Sequence, residues 1–119
     1  MTILVAVPES AEGKVALAAA AAEASTLGTD LVVLNLGLTK ITESALPAGV
    51  STEVVERSGA GDHDPADVVL DYLAEHPAIS RLVIGMKRRS PVGKAVFGSI
   101  SQRLLLEAPV PVLAVKLEA

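Results

Sequence analysis

A chain of 119 residues, 50% hydrophobic and 20% charged, has the size and composition of one globular domain, and a second full domain is not expected. With no Cys, no Trp, one Phe and one Tyr, it excludes disulfides, thiolate metal sites and Cys nucleophiles, and it offers no aromatic platform on which bases would stack. The formal charge of −4 is unevenly spread: residues 1–86 hold four basic and twelve acidic side chains, whereas residues 87–119 hold six basic and two acidic ones, so most of the surface repels an extended nucleic acid.

The core must be built from Val, Leu, Ile and the 19 Ala. Ile3-Leu4-Val5-Ala6-Val7 is a continuous apolar run rich in β-branched residues, the pattern of a parallel strand covered on both faces, and Pro8 ends it. Ser10 stands where a helix cap belongs, and the Ala-rich segment from Ala11 to about Leu27 predicts a helix stopped by Gly28. Leu31 to Leu36 predicts a second buried strand, so the first units form a right-handed βαβ crossover. Residues 37–49 read as a loop with at most one short helix around Thr42–Leu46. Ser51 to Glu56 has strand composition with more polar positions, as suits an edge, and Ser58-Gly59-Ala60-Gly61 is a loop.

Asp64-Pro65-Ala66-Asp67 predicts a helix start, with Asp64 as cap and Pro65 in the first turn, and His76-Pro77 closes that helix. A fourth strand is expected at Arg81–Gly85, a last helix from Ser99 to about Glu107, and a final strand at Val110–Val115. Alternating strands and helices of this kind give an open, mainly parallel α/β sheet of five strands with helices on both faces. The longest apolar stretches fall well short of the ~20 residues of a bilayer span, and Met1-Thr2-Ile3-Leu4-Val5 is no basic leader, so no membrane association and a cytoplasmic location are expected.

The segment with chemical content runs from Met86 to Gly98. It leaves the carboxyl end of a strand and enters a helix N-terminus, where N–H groups and the macrodipole favour an anion. Lys87, Arg88, Arg89 and Lys94 concentrate positive charge within eight residues, and glycines at 85, 93 and 98 allow close backbone approach to a phosphate. Ser99 and Gln102 also have capping-box spacing. A Walker A loop is excluded, because Arg88 stands at its first Gly and Ala95 at its hydroxyl position; the first strand is not followed by G-x-G-x-x-G. Asp62-His63-Asp64 with Asp67 holds ligand-type residues, but two of them already start a helix and one His is a thin donor set, so no metal site is expected. No Ser-His-Asp arrangement has the motif context of a nucleophilic enzyme.

Gly85-x-x-Arg88, nine residues, then Gly98-Ser99, followed by Ala108-Pro109-Val110-Pro111-Val112-Leu113, resembles the C-terminal signature of the universal stress protein family, and the likeness extends over nearly the whole chain. It implies the adenine nucleotide alpha hydrolase-like fold with strand order 3-2-1-4-5. In the nucleotide-binding branch the signature is G-x2-G-x9-G-[ST], whose glycines and hydroxyl hold the phosphates of ATP. Gly85, Gly98 and Ser99 match it in identity and spacing, and Arg88 replaces the second glycine. ATP-binding members also carry an Asp just after the first strand, where this chain has Pro8 and, one place later, Glu9.

The resemblance implies a regulatory protein rather than an enzyme, binding ATP or AMP, with Mg²⁺ as a possible companion. Its phosphate side would comprise Gly85, Gly98, Ser99 and Ser101, with Lys87, Arg88, Arg89 and Lys94 supplying charge; its adenine side would comprise Val7, Glu9 and Val32 or Val33. Any hydrolysis would be very slow, since no general base is evident. Val110, Val112, Leu113 and Val115 form an apolar edge through which a homodimer is expected. The alternative is a nucleotide-free dimeric interaction protein of the same fold.

Overall fold

The computed structural model describes residues 2–37, 41, 48–56, 64–88, 95–96 and 99–117. Chain order gives β1 (Thr2–Val7), α1 (Ala11–Leu27), β2 (Asp30–Asn35), β3 (Thr52–Glu56), α2 (Pro65–Glu75), β4 (Ile79–Arg88), β5 (Ala95–Val96), α3 (Ser99–Glu107) and β6 (Val112–Leu117). Five strands pair in parallel in the order β3-β2-β1-β4-β6, so the expected order holds with β6 as the fifth strand. The two-residue β5 is an addition, antiparallel to the end of β4. The expected turn helix at Thr42–Leu46 and the loop at 58–61 lie outside the described residues.

Side-chain alternation divides the core in two. Ile3, Val5 and Val7 of β1 join Leu31, Val33 and Val83 under the small residues Ala16, Ala20 and Ala24 of α1. Leu4, Ala6, Leu34, Leu82 and Ile84 point to the other face, where Ala66, Val69 and Leu73 of α2 and Leu104 of α3 cover them. Both faces of the central strands are therefore dry, the physical reason their sequences read as unbroken apolar runs. β3 is half-covered, and its exposed Glu53 and Glu56 fit an edge.

Helix ends follow local chemistry. Gly28 closes α1 in the left-handed conformation (φ 66°), open to a residue without Cβ. The Ala66 N–H donates to Asp64 Oδ1 at 2.8 Å, the expected cap of α2. Ser10 holds the cap position of α1, but its hydroxyl donates to Glu12 Oε2 (3.0 Å) instead of accepting from a helix N–H. Arg103 on α3 pairs with Asp64, Asp67 and Glu107, tying α3 to the start of α2; the hydrogen bond to Asp67 first, then that to Glu107, raises its pKa. On the opposite face Arg81 Nη1 meets Glu23 Oε1 of α1 at 2.5 Å.

Tyr72 stacks on His76 with ring centroids 3.8 Å apart, and His76 Nδ1 donates to the Tyr72 carbonyl at 2.8 Å. Burial first, then the Glu53 carboxylate, raises the Tyr72 hydroxyl above its ordinary pKa of 10.0. The unfolded chain then loses this proton first, so the contribution is intact below pH 10 and is lost as pH rises through the folded value. Because the chain has one Tyr, tyrosinate absorbance in an alkaline titration reports this group alone. Its midpoint is expected above 10.0 in the folded protein and back at 10.0 in denaturant; equal midpoints would contradict the burial argument.

Candidate functional site at the ends of the central strands

The chain turns outward in opposite directions from β1 and β4, since β1 leads to β2 on one side and β4 to β6 on the other. Such a switch point opens a crevice at the carboxyl ends of the strands. Here β1 and β4 pair as far as Val5 and Val83, while β1 stays joined to β2 through Val7 and Asn35 and through the Leu36 N–H to the Val7 carbonyl (2.9 Å). Ala6 and Val7 thus part from Ile84 and Gly85, which makes the mouth of the crevice.

The first turn of α1 presses into this region. A Cβ on Gly85 would lie 2.3 Å from the Glu12 carbonyl oxygen, and one on Gly13 would lie 2.1 Å from that of Pro8. Gly85 is accordingly needed for helix-on-strand packing, a role that the phosphate-binding spacing does not reveal. Val7 is buried beneath α1, and Glu9 is exposed on the rim with its Cβ 2.8 Å from where a Cβ on Gly37 would stand. Val33 is fully buried under α1, whereas Val32 packs into the core on the α2 face, away from Val7.

Asn35 is the buried polar residue of the site, 2% exposed at the end of β2. Its Nδ2 donates to Glu56 Oε2 at 2.8 Å and its Oδ1 accepts from the Gly37 N–H at 2.9 Å, fixing the bend after β2 beside Glu9. Sequence reasoning passed over it. The available signal was an amide closing the apolar run Leu31–Leu34, with a carboxylate at the matching end of the next strand.

The segment expected to be a plain loop after Gly85 is partly sheet. Met86 is buried, and Met86 and Lys87 continue the pairing with β6 opposite Lys116 and Leu117, which extends β4 to Arg88. Lys87 and Arg88 also pair with Val96 and Ala95. The reason is that β6 runs to Leu117, two residues beyond its expected end, and offers β4 a partner for its backbone groups. Ser101 Oγ donates to the Gly85 carbonyl at 3.1 Å, so the hydroxyl links α3 to β4 at the crevice. Ser99 is the first residue of α3; Arg89, Lys94 and Gly98 lie outside the described residues. The structure thus gathers Val7, Glu9, Gly85 and Ser101 about one crevice, with Lys87 and Arg88 on its far strand.

At the sheet's other end, Val110 precedes β6 instead of belonging to it, because β6 starts at Val112 after Pro111. Val110 and Val112 pack against the α2-side core and Val115 against the α1-side core, while Leu113 is 38% exposed. Among the described residues no group of three His, Asp or Glu is placed to hold a metal, and no helix is long and apolar enough to cross a membrane.

Comparison with known proteins gives a consistent result. A sequence model of the universal stress protein family matches residues 40–116. A universal stress protein of Mycolicibacterium smegmatis is 45% identical over 69 residues, which is 58% of this chain and half of that relative's length. Among solved structures, a universal stress protein from Archaeoglobus fulgidus superposes with a TM-score of 0.75 at 28% identity, over 98% of each chain. The universal stress protein UspA of Lactobacillus plantarum gives 0.68 at 18% identity over 97% of each chain. An Archaeoglobus fulgidus universal stress protein in complex with dAMP gives 0.66 at 22% identity over 98% of each chain. With the family model covering well over half of the sequence and the sheet order in agreement, this chain belongs to the universal stress protein family.

Proposed function

We propose that this protein is a cytoplasmic stress-response regulator that binds an adenine nucleotide, ATP or AMP, in the crevice between β1 and β4. The observation that carries the reading is the opening of that crevice where Gly85 begins the basic, glycine-bearing segment leading to Gly98-Ser99 at the start of α3. The dAMP complex of the Archaeoglobus fulgidus relative supports it by analogy of fold. Lys87, Arg88, Arg89 and Lys94 would neutralise the phosphates, Ser99 and the α3 N-terminus would donate to them, and Mg²⁺ would accompany ATP. Val7 and Glu9 would border the adenosine. The site is read as binding rather than catalytic, with at most very slow hydrolysis.

Calorimetric titration with ATP and AMP, with and without Mg²⁺, is expected to show saturable binding. Ser99→Ala combined with Lys94→Ala should weaken it by about tenfold or more, since a hydroxyl contact and a charged contact to the phosphates are both lost, with the fold intact. No heat of binding with the unmodified protein under any of these conditions would end the nucleotide reading.

Arg88 at the second-glycine position and Pro8 after β1 favour a second reading, a nucleotide-free dimer that acts on a protein partner. The dimer would form through β6, which pairs with β4 alone among the described strands and leaves its outer edge open there. With Val110, Val112 and Val115 turned into the core, Leu113 is the side chain suited to test it. Leu113→Lys is expected to yield a folded monomer in light scattering, and an unchanged dimer mass would place the interface elsewhere.

A further inference from the structure

The carbonyl of Gly85 faces the crevice. Leu82 donates its N–H to the Pro111 carbonyl just before β6. Successive residues of a strand turn their backbone groups to opposite edges, so Leu82, Ile84 and Met86 address β6 while Val83 and Gly85 address β1. Pairing of β1 with β4 ends at Val5 and Val83. Carried on in the same register, it would set Gly85 opposite Val7 and its carbonyl toward the N–H of residue 8. That residue is Pro8, which has no N–H to give. The Ser101 hydroxyl supplies the donor instead, at 3.1 Å from the Gly85 oxygen.

This bond limits what else Ser101 does. A serine hydroxyl carries one proton, and an ionised phosphate oxygen only accepts, so a hydroxyl spent on Gly85 has nothing left to donate to a phosphate. Two residues along α3, about 200° around the helix, Arg103 grips Asp64 and Asp67 at the start of α2. α3 is therefore held on nearly opposite sides, by β4 through Ser101 and by α2 through Arg103. The N–H groups of its opening turn, from Ser99 to Ser101, have no acceptor within the helix, and these two grips set where they stand.

We propose that Ser101 is a positioning residue for the nucleotide and not one of its ligands. Taking the place of the N–H that Pro8 lacks, it sets the first turn of α3 against the end of β4 and covers a carbonyl oxygen that would otherwise face the phosphates. This inference rests on the nucleotide-binding reading above and gives one residue of that site a different task. Without the hydroxyl, the bare Gly85 oxygen repels an anion and α3 keeps one grip of the two; both effects weaken binding without Ser101 ever touching the ligand.

The test joins calorimetry to amide hydrogen exchange on the full chain, with Ser101→Ala and Ser101→Thr. ATP affinity is expected to fall on the order of tenfold in Ser101→Ala and to return to nearly the unmodified value in Ser101→Thr, which keeps the hydroxyl. In the ligand-free protein the amides of Arg103 and Leu104, which close the first turn of α3, should exchange severalfold faster in Ser101→Ala and normally in Ser101→Thr. Weaker ATP binding by Ser101→Ala with ligand-free exchange unchanged would make Ser101 a direct ligand and overturn the proposal. Faster exchange with ATP affinity unchanged would leave the bond a purely structural one, and no change in either would remove its importance altogether; both outcomes overturn the proposal while the nucleotide reading stands. Should the unmodified protein bind neither ATP nor AMP, the nucleotide reading itself fails and takes this one with it.

Discussion

Replacing Gly85 with Ala is expected to lower the stability of the protein by about 3 kcal/mol, the upper end of the usual cost of overpacking. The new Cβ would stand 2.3 Å from the Glu12 carbonyl oxygen and 2.9 Å from its Cβ, and the neighbour is helix backbone, which cannot rotate away as a side-chain tip would. Relief requires α1 to lift from β4, exposing Val5, Val83 and Ala16. Gly13→Ala is the matching test because its sign runs against propensity. In an isolated helix it would stabilise by about 1 kcal/mol, whereas here the Cβ would fall 2.1 Å from the Pro8 carbonyl and the variant should be less stable. Urea unfolding measures both. A Gly85→Ala protein with an unchanged midpoint and lost ATP binding would instead assign this glycine to phosphate approach.

Asn35→Asp, an exchange of one side-chain nitrogen for oxygen, is expected to cost about 2–3 kcal/mol at neutral pH. It replaces the amide that donates to Glu56 with a second carboxylate, at a separation of 2.8 Å, in a residue only 2% exposed. Two such carboxylates cannot both ionise freely, so the pair holds a proton in the folded state at a pH where the unfolded chain has lost it. A raised acid pKa gives stability that is present at low pH and lost as pH rises through the folded value. The deficit should therefore shrink below about pH 4 and be full at pH 7. Asn35→Leu removes the same hydrogen bonds without adding charge, and its deficit should not change with pH in this way. Parallel pH-stability profiles for the two variants would show that the Asn35–Glu56 bond is not what holds the rim.

What the sequence alone determined was the set of features written in neighbouring residues. Runs such as Ile3–Val7 and Leu31–Leu34 declare strands covered on both sides, Asp64-Pro65 declares a helix start, and Gly28 declares a left-handed stop; each depends on backbone geometry within a few residues. The spacing from Gly85 to Gly98-Ser99 likewise named the family and hence the strand order before any coordinates. Tertiary structure alone decided which of those residues serve packing. Gly85 is hemmed in by Glu12, Ser101 is bonded to Gly85, and Asn35 is fixed by Glu56, pairs separated by 16 to 73 positions whose contact no local pattern encodes. The same holds for β5: two residues of ordinary composition become a strand because β4, drawn out by pairing with β6, presents them with an unfilled edge. Propensity is a property of a segment, whereas the need to satisfy backbone hydrogen bonds is imposed by whatever lies alongside it.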